Sequence, residues 1–356
     1  SSMNNMKKIS LFVTLFIAPA LLLCAQTTAP KTSKPPLKKA AAKPAVKKAA
    51  PVPAAKPEPA AVSAPAADPL AESLEKIKST DREERRKAAD YIGQSRNPKG
   101  APALMAALSD DAPRVRQSAA DALGMLTWRE ASPKLSDMLI NDGDAGVRQQ
   151  AAISISYIMD QAAGPALVKA LKDTAPSVRY AALHTLAVMK YSAAEGEMIG
   201  LLSSGDSNMR RGAISALGQL QSKKAAGPLA AAMKDSDQYV RLEAVKALGS
   251  IGDTSSAGEL IKLLAPGENA QLRVEAAYSL AKMDMNDGLP VAYEYAKSAD
   301  LSVRSQALNV LALAGDARTL QFIEELYTAE QDPAGKGMLD FTRQRLMLRI
   351  KTLQKK

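Results

Sequence analysis

The chain has 356 residues, 46% of them hydrophobic but only 4% aromatic, which argues against a sheet-rich fold and for helices packed by Ala, Leu, Val and Met. Its net charge of +10 suggests a nucleic-acid footprint, yet the charge is unevenly placed. Residues 26–68 hold eight Lys against Glu58 and Asp68, residues 336–356 hold seven Lys or Arg against Asp340, and residues 69–335 come to −4, so the bulk of the chain is not a basic surface.

In chain order, Lys7 and Lys8 come first, then the apolar run Ile9 to Leu23 and the small residue Ala25. This is the pattern of an export signal over residues 1–25, and its run of about 15 residues falls short of the roughly 20 that span a bilayer. Cleavage after Ala25 is expected, leaving Gln26 first and no transmembrane span in the mature chain. Two alternatives stand beside it: lipidation of Cys24, where Leu-Leu-Leu-Cys resembles a bacterial lipobox with Leu23 in place of its usual small residue, and an uncleaved anchor. Cys24 is the only cysteine, which excludes a disulfide or a thiolate metal site. Residues 26–68 repeat Lys-Lys and Ala-Pro steps with almost no apolar bulk, so they are expected to form a disordered tether. In the polyproline conformation such a tether reaches on the order of 130 Å. Its lysines are a second expected contact surface, for weak binding to a polyanion or an anionic surface.

From residue 69 one signature returns. Glu84-Arg85, Val115-Arg116, Val147-Arg148, Val178-Arg179, Met209-Arg210, Val240-Arg241, Leu272-Arg273 and Val303-Arg304 place their arginines 31, 32, 31, 31, 31, 32 and 31 residues apart. Ala follows each Arg by three residues, and Ile or Leu by seven, from Ala88 and Ile92 to Ala307 and Leu311. Positions −1, +3, +4 and +7 share one helical face, so the spacing predicts an amphipathic helix with a small-residue seam. Four residues before the Arg stand Asp81, Asp144, Asp206, Asp237, Asn269 and Asp300, all good N-caps, and the two exceptions are followed by Pro113 and Pro176 at the first helical position. A shorter helix, often opened by proline (Pro102, Pro133, Pro165, Pro228, Pro290), precedes each. A hairpin of that length cannot bury its stripe alone, so stacking is required.

The predicted fold is therefore all-α: an α-solenoid of about eight to nine helical hairpins over residues 69–335, closed by a basic capping helix over residues 336–356. Within that last helix, Leu339, Leu346, Ile350 and Leu353 are expected inward and Arg343, Arg345, Arg349 and Lys351 outward. The Asp-x-x-x-Val-Arg start and Ala-Ala-x-x-Leu-Gly continuation resemble the short HEAT-like repeats named after phycobilisome lyases. That resemblance implies the solenoid and says little about function.

Arg116, Arg148, Arg179, Arg210, Arg241, Arg273 and Arg304 recur in every unit, so a shared structural role is expected: a ladder of guanidinium groups bonded to a cap Asp or to loop carbonyls. Gly93, Gly124, Gly218 and Gly249, eight residues after their Arg, are expected to allow close helix approach. His184 is the only histidine, which leaves no multi-histidine metal centre and makes any Ser-His-Asp relay depend on one residue. By the same resemblance the paired His-Glu iron sites of HEAT-like hydroxylases are excluded, and neither cofactor nor metal is expected. The variable positions +1 and +5 of the repeated helix are the recognition candidates, with Tyr180, His184, Arg211, Leu242, Lys246 and Tyr278 combining aromatic, charged and apolar groups. The expected function is a monomeric, exported, non-enzymatic scaffold for a protein partner in the periplasm or bacterial cell envelope. A polyanion binder acting through the tether and a lyase-like enzyme are the alternatives.

Overall fold

The computed structural model describes residues 68–354. The export signal expected over residues 1–25, with Cys24 and Gln26, and the tether expected up to residue 67 lie outside the described residues.

Eighteen α-helices and no strand stand among the described residues, and they pair as hairpins: α1 (Pro69–Lys76) with α2 (Arg82–Ser95), α3 (Ala101–Ala107) with α4 (Pro113–Met125), α5 (Ser132–Asn141) with α6 (Ala145–Ile158), α7 (Gly164–Ala170) with α8 (Pro176–Val188), and α9 (Glu195–Gly200) with α10 (Ser207–Gln219). They continue as α11 (Ala226–Ala232) with α12 (Gln238–Ile251), α13 (Ala257–Lys262) with α14 (Ala270–Lys282), α15 (Leu289–Tyr295) with α16 (Leu301–Ala314), and α17 (Ala317–Ala329) with α18 (Pro333–Leu353). Each second helix packs on the second helices before and after it, and each first helix packs on its own partner, which is the nearest-neighbour order of an α-solenoid.

Local chemistry starts each second helix where the sequence indicates. Asp81, Asp144, Asp206, Asp237, Asn269 and Asp300 accept first-turn N–H groups. Where Ala112 and Ala175 stand at the cap instead, the backbone N–H of each is taken by Asp110 or Asp173 two residues upstream, and proline follows. The residues at −1, from Val115 to Val303, those at +3, from Ala88 to Ala307, and those at +7, from Ile92 to Leu311, are buried. The core forms two contiguous clusters that meet at α14, which gives Leu272, Ala276 and Leu280 to one and Val274, Ala277 and Ala281 to the other.

The seam is tight because of the glycines. A Cβ on Gly93 would lie 2.6 Å from Ala122 Cβ, one on Gly124 would lie 3.0 Å from Ser154 Cα, one on Gly218 would lie 3.1 Å from Ala247 Cβ, and one on Gly249 would lie 2.6 Å from Ser279 Cβ. Position +8 of one second helix therefore faces position +6 of the next. In the same seam the hydroxyls of Thr185 and Ser279 donate to the carbonyls of Ala152 and Val245 on the preceding second helix, at 2.9 and 2.8 Å. Burial of these two polar side chains is thus compensated by a bond between hairpins.

A second regularity has almost no signature in residue type. Arg96, Thr127, Met159, Lys190, Gln221, Gly252 and Asp284 all have left-handed backbone, and each lies eleven residues after the Arg of its unit. Six of these seven are not glycine, although each non-glycine residue costs roughly 1 kcal/mol in this conformation. The reversal out of every second helix is imposed by packing against the local preference of its residues.

The C-terminal hairpin departs from expectation in three ways. Helix α18 begins at Pro333, capped by Asp332, rather than at residue 336, because the proline fits the first turn and Asp332 accepts from Gly335 N–H at 2.8 Å. It takes the place of a ninth second helix, packing Leu339 and Leu346 against α16. Leu353 is 52% exposed instead of inward, since the helix runs past the end of its neighbour's apolar face. Arg343 lies over the ring of Tyr327 at 5.0 Å, and Arg345 and Arg349 reach Asn309 Oδ1 and Gly315 O at 3.2 and 3.3 Å, so these three are packed rather than free in solvent.

Candidate functional site

The repeated arginines form a ladder along the loops that enter the second helices. In every rung from Arg85 to Arg241, one terminal nitrogen donates to the carbonyl six residues back, which clamps the guanidinium to the loop of its own hairpin. In four rungs the other edge makes a bidentate pair with a carboxylate of the next hairpin: Arg85 with Asp110 (2.7 and 2.9 Å), Arg116 with Asp142 (2.8 and 2.8 Å), Arg148 with Asp173 (2.8 and 2.9 Å) and Arg210 with Asp235 (2.8 and 2.8 Å). The carboxylate is not the cap Asp. It lies six residues before the next Arg, where it also accepts a backbone N–H two residues on, so one side chain closes the loop and joins the hairpins.

Where that position carries another residue, the rung changes. Ser204 and Gly267 leave Arg179 and Arg241 with loop carbonyls only, at 2.8 and 3.1 Å and at 2.8 and 3.4 Å. Arg273 turns to Glu294 and the hydroxyl of Tyr295 at 2.8 to 3.0 Å, and Arg304 to Glu330 at 2.5 Å.

The +1/+5 stripe does not form one continuous site; it breaks into clefts between successive second helices. Tyr180 and Arg211 are brought together in a cleft of about 430 Å³ with Asn208, Gly212, Ser215 and Glu243. Tyr180 is half-buried, and its hydroxyl donates to Asp206 at 2.5 Å; that bond, more than burial, pushes the phenol above its ordinary pKa. Arg211 is exposed beside it. His184 is exposed one turn along α8 but does not line this cleft. Leu242 stands in a separate small cleft with Tyr239, which is 56% exposed, and Gln271. Lys246 lines a third cleft of about 510 Å³ with Glu275, Lys282, Gln306 and three serines. Tyr278 is half-buried, with the ammonium of Lys282 4.8 Å from its ring centroid.

Asn208, Gln271 and Ser302 at −2, and Glu243, Glu275 and Gln306 at +2, complete these clefts and are absent from the sequence-based candidates. Helical periodicity could have found them, since −2, +1, +2 and +5 fall on one face.

Glu275 is the least expected of them. It is 7% exposed, with one oxygen accepting from Gln306 at 2.9 Å. Burial pushes its carboxyl up, and the charges of Lys246 and Lys282 offset this only in part. The folded pKa lies above the unfolded one, so the stability it contributes is whole below about pH 4 and lost as pH rises through the folded value. Glu275→Gln, which keeps the acceptor for Gln306, should therefore raise the melting temperature at pH 7 and leave it unchanged at pH 4. Melts monitored by circular dichroism at the two pH values check this, and a lower melting temperature at pH 7 would show that the ionised carboxylate holds the cleft together.

The fold and its repeated seam define a stacked helical-hairpin repeat protein. A profile of HEAT repeats matches residues 67–156, 132–196, 197–267 and 257–337, and the chain belongs to the HEAT-repeat family. Among solved structures it is similar to the complex of CpcE and CpcF of phycocyanin lyase from a Nostoc species, at 25% identity over 74% of this chain and 98% of that chain, with a TM-score of 0.41. Escherichia coli YibA is similar at 20% identity over 68% and 91%, with a TM-score of 0.49. Human deoxyhypusine hydroxylase in complex with glycerol is similar at 19% identity over 69% and 95%, with a TM-score of 0.32. A search of curated proteins finds no match.

Proposed function

We propose that the chain is an exported, non-enzymatic scaffold that holds a protein partner across the face of its second helices. The observation that carries this reading is the Tyr180–Arg211 cleft of about 430 Å³, in which variable aromatic, charged and amide groups stand on an invariant frame. A single histidine supports the non-enzymatic part, and Lys7, Lys8, the run Ile9 to Leu23 and Ala25 support export to the periplasm or cell envelope. The mass of the exported chain should show Gln26 as the first residue.

A photo-crosslinking residue at Ser215, inside the cleft, should capture a partner that the same residue at Gly258, on the first helix α13, does not. Against that partner, Arg211→Ala should weaken binding by about 2 kcal/mol, as loss of an interface anchor does, with no change in melting temperature. Tyr180→Phe isolates the hydroxyl and is a cleaner variant than Tyr180→Ala, because the ring is packed. Equal capture from both positions, or full affinity in Arg211→Ala together with loss of binding in Arg345→Ala, would move the site to α18 and defeat the proposal.

A further inference from the structure

Four rungs of the arginine ladder carry an aspartate from the next hairpin, those of Arg273 and Arg304 carry a glutamate, and those of Arg179 and Arg241 carry neither. At Arg179 and Arg241 the guanidinium is held by its loop carbonyls in the same way as at Arg148 and Arg210. The edge formed by Nε and the second terminal nitrogen, which elsewhere grips an aspartate, donates to no residue of the described chain. Arg241 lines a cleft of about 410 Å³ together with Met233, Leu263 and Leu272 and the charged residues Lys234 and Lys262. Two of the acids on this cleft are engaged: Asp235 pairs with Arg210, and Glu259 with Lys262 at 2.5 Å. Glu268 alone is exposed and unbonded. Arg241 also lines the small cleft that holds Tyr239 and Leu242, so the two clefts share Arg241 and Leu272.

We propose that an acidic peptide segment of the partner docks along this loop edge, with its carboxylates completing the open rungs at Arg241 and Arg179 as Asp110, Asp142, Asp173 and Asp235 complete the others. A guanidinium already held in place loses little freedom on pairing, and a bidentate carboxylate is the ligand its fork fits. Carboxylate is favoured over phosphate because it is the group that the chain itself uses four times in the same geometry, and because Asp173, Asp206 and Asp235 beside the edge would repel a denser polyanion. The inference rests on the reading of the chain as a protein-binding scaffold, but not on the Tyr180–Arg211 cleft.

The test uses the full chain and a capped hexaglutamate as probe, titrated by calorimetry at low salt, with capped hexaglutamine and tripolyphosphate beside it. Hexaglutamate should bind and hexaglutamine should not. Arg241→Gln should weaken binding about tenfold or more, the effect of losing a charge-assisted pair. Glu268→Gln should tighten it by clearing a competing carboxylate. Ser204→Asp restores the missing acid at the Arg179 rung; it should raise the melting temperature and still weaken hexaglutamate binding, which separates an occupied rung from a damaged fold. Arg211→Ala should leave hexaglutamate affinity unchanged, so failure of the stripe and failure of the rung are read separately. The proposal is overturned if hexaglutamate does not bind, if Arg241→Gln and Ser204→Asp bind it as tightly as the parent chain does, or if tripolyphosphate binds as tightly with the same dependence on Arg241.

Discussion

Gly249→Leu should destabilise the stack by about 3 kcal/mol or more, the upper range for forcing volume into a packed seam. Leucine is the better helix former by roughly 0.8 kcal/mol, so any loss comes from packing and not from propensity. At this position even a Cβ would lie 2.6 Å from Ser279 Cβ and 2.8 Å from Ser279 Cα, and the second of these is backbone that cannot rotate away. Relief would require α12 and α14 to separate, which would also break the bond from Ser279 to Val245 O. Gly227 provides the contrast, since nothing lies within 4 Å of a Cβ built there. Gly227→Ala should be neutral or stabilise by up to about 1 kcal/mol. Denaturant midpoints for the two variants decide the matter: a Gly249→Leu protein as stable as the parent would mean that the second helices can separate at little cost.

The next largest effect belongs to the ladder. Arg116→Ala should cost about 2 kcal/mol, because it leaves Asp142, whose side chain is 8% exposed, without its bidentate partner. Arg179→Ala removes only bonds to loop carbonyls and should cost less than about 1 kcal/mol. The difference should depend on pH. Burial works against ionisation of Asp142, but the donors of Arg116 and of Asp144 N–H outweigh it and set its carboxyl below the ordinary range. With the folded value below the unfolded one, the contribution is whole above about pH 4 and disappears as pH falls through the folded value. The gap between Arg116→Ala and the parent protein should therefore close in acid, while that for Arg179→Ala should not. Equal losses for the two variants at pH 7 would show that the carbonyl clamp, rather than the carboxylate, carries the rung.

Much of this was open to reading because the repeat strips away tertiary context. Each Ala at +3 and each Ile or Leu at +7 meets the same surroundings in every unit, so its role was visible as recurrence, and the glycines at +8 followed from the same seam. The bridging aspartates were harder to see. They stand in only half of the copies, and their other bond, to a backbone N–H, makes them look like ordinary loop residues. The candidate stripe was legible as a face and not as clefts, because +1 and +5 mark one edge of a surface whose remaining positions, −2 and +2, look like solvated polar residues until neighbouring helices bring Glu243 or Gln306 beside them. The start of α18 was missed where Pro333 follows the loop, since the basic residues beyond it drew the boundary too late.

The left-handed joint after each second helix sets how the chain can change. Its distance from the Arg is eleven residues in all seven units that have it, while the distance from the joint to the next Arg varies between twenty and twenty-one. One residue gained between the Arg and the joint would rotate everything beyond it by about 100° and carry the joint out of register with the loop that the guanidinium holds. The same residue gained in the first-helix half is absorbed: Ser132–Asn141, before Arg148, is the longest of the first helices that lie between two repeated arginines, and the unit before Arg273 has the loop around Gly267. The molecule thus separates a half that keeps measure from a half that tolerates editing, and length variation is confined to the first helices and the loops that follow them.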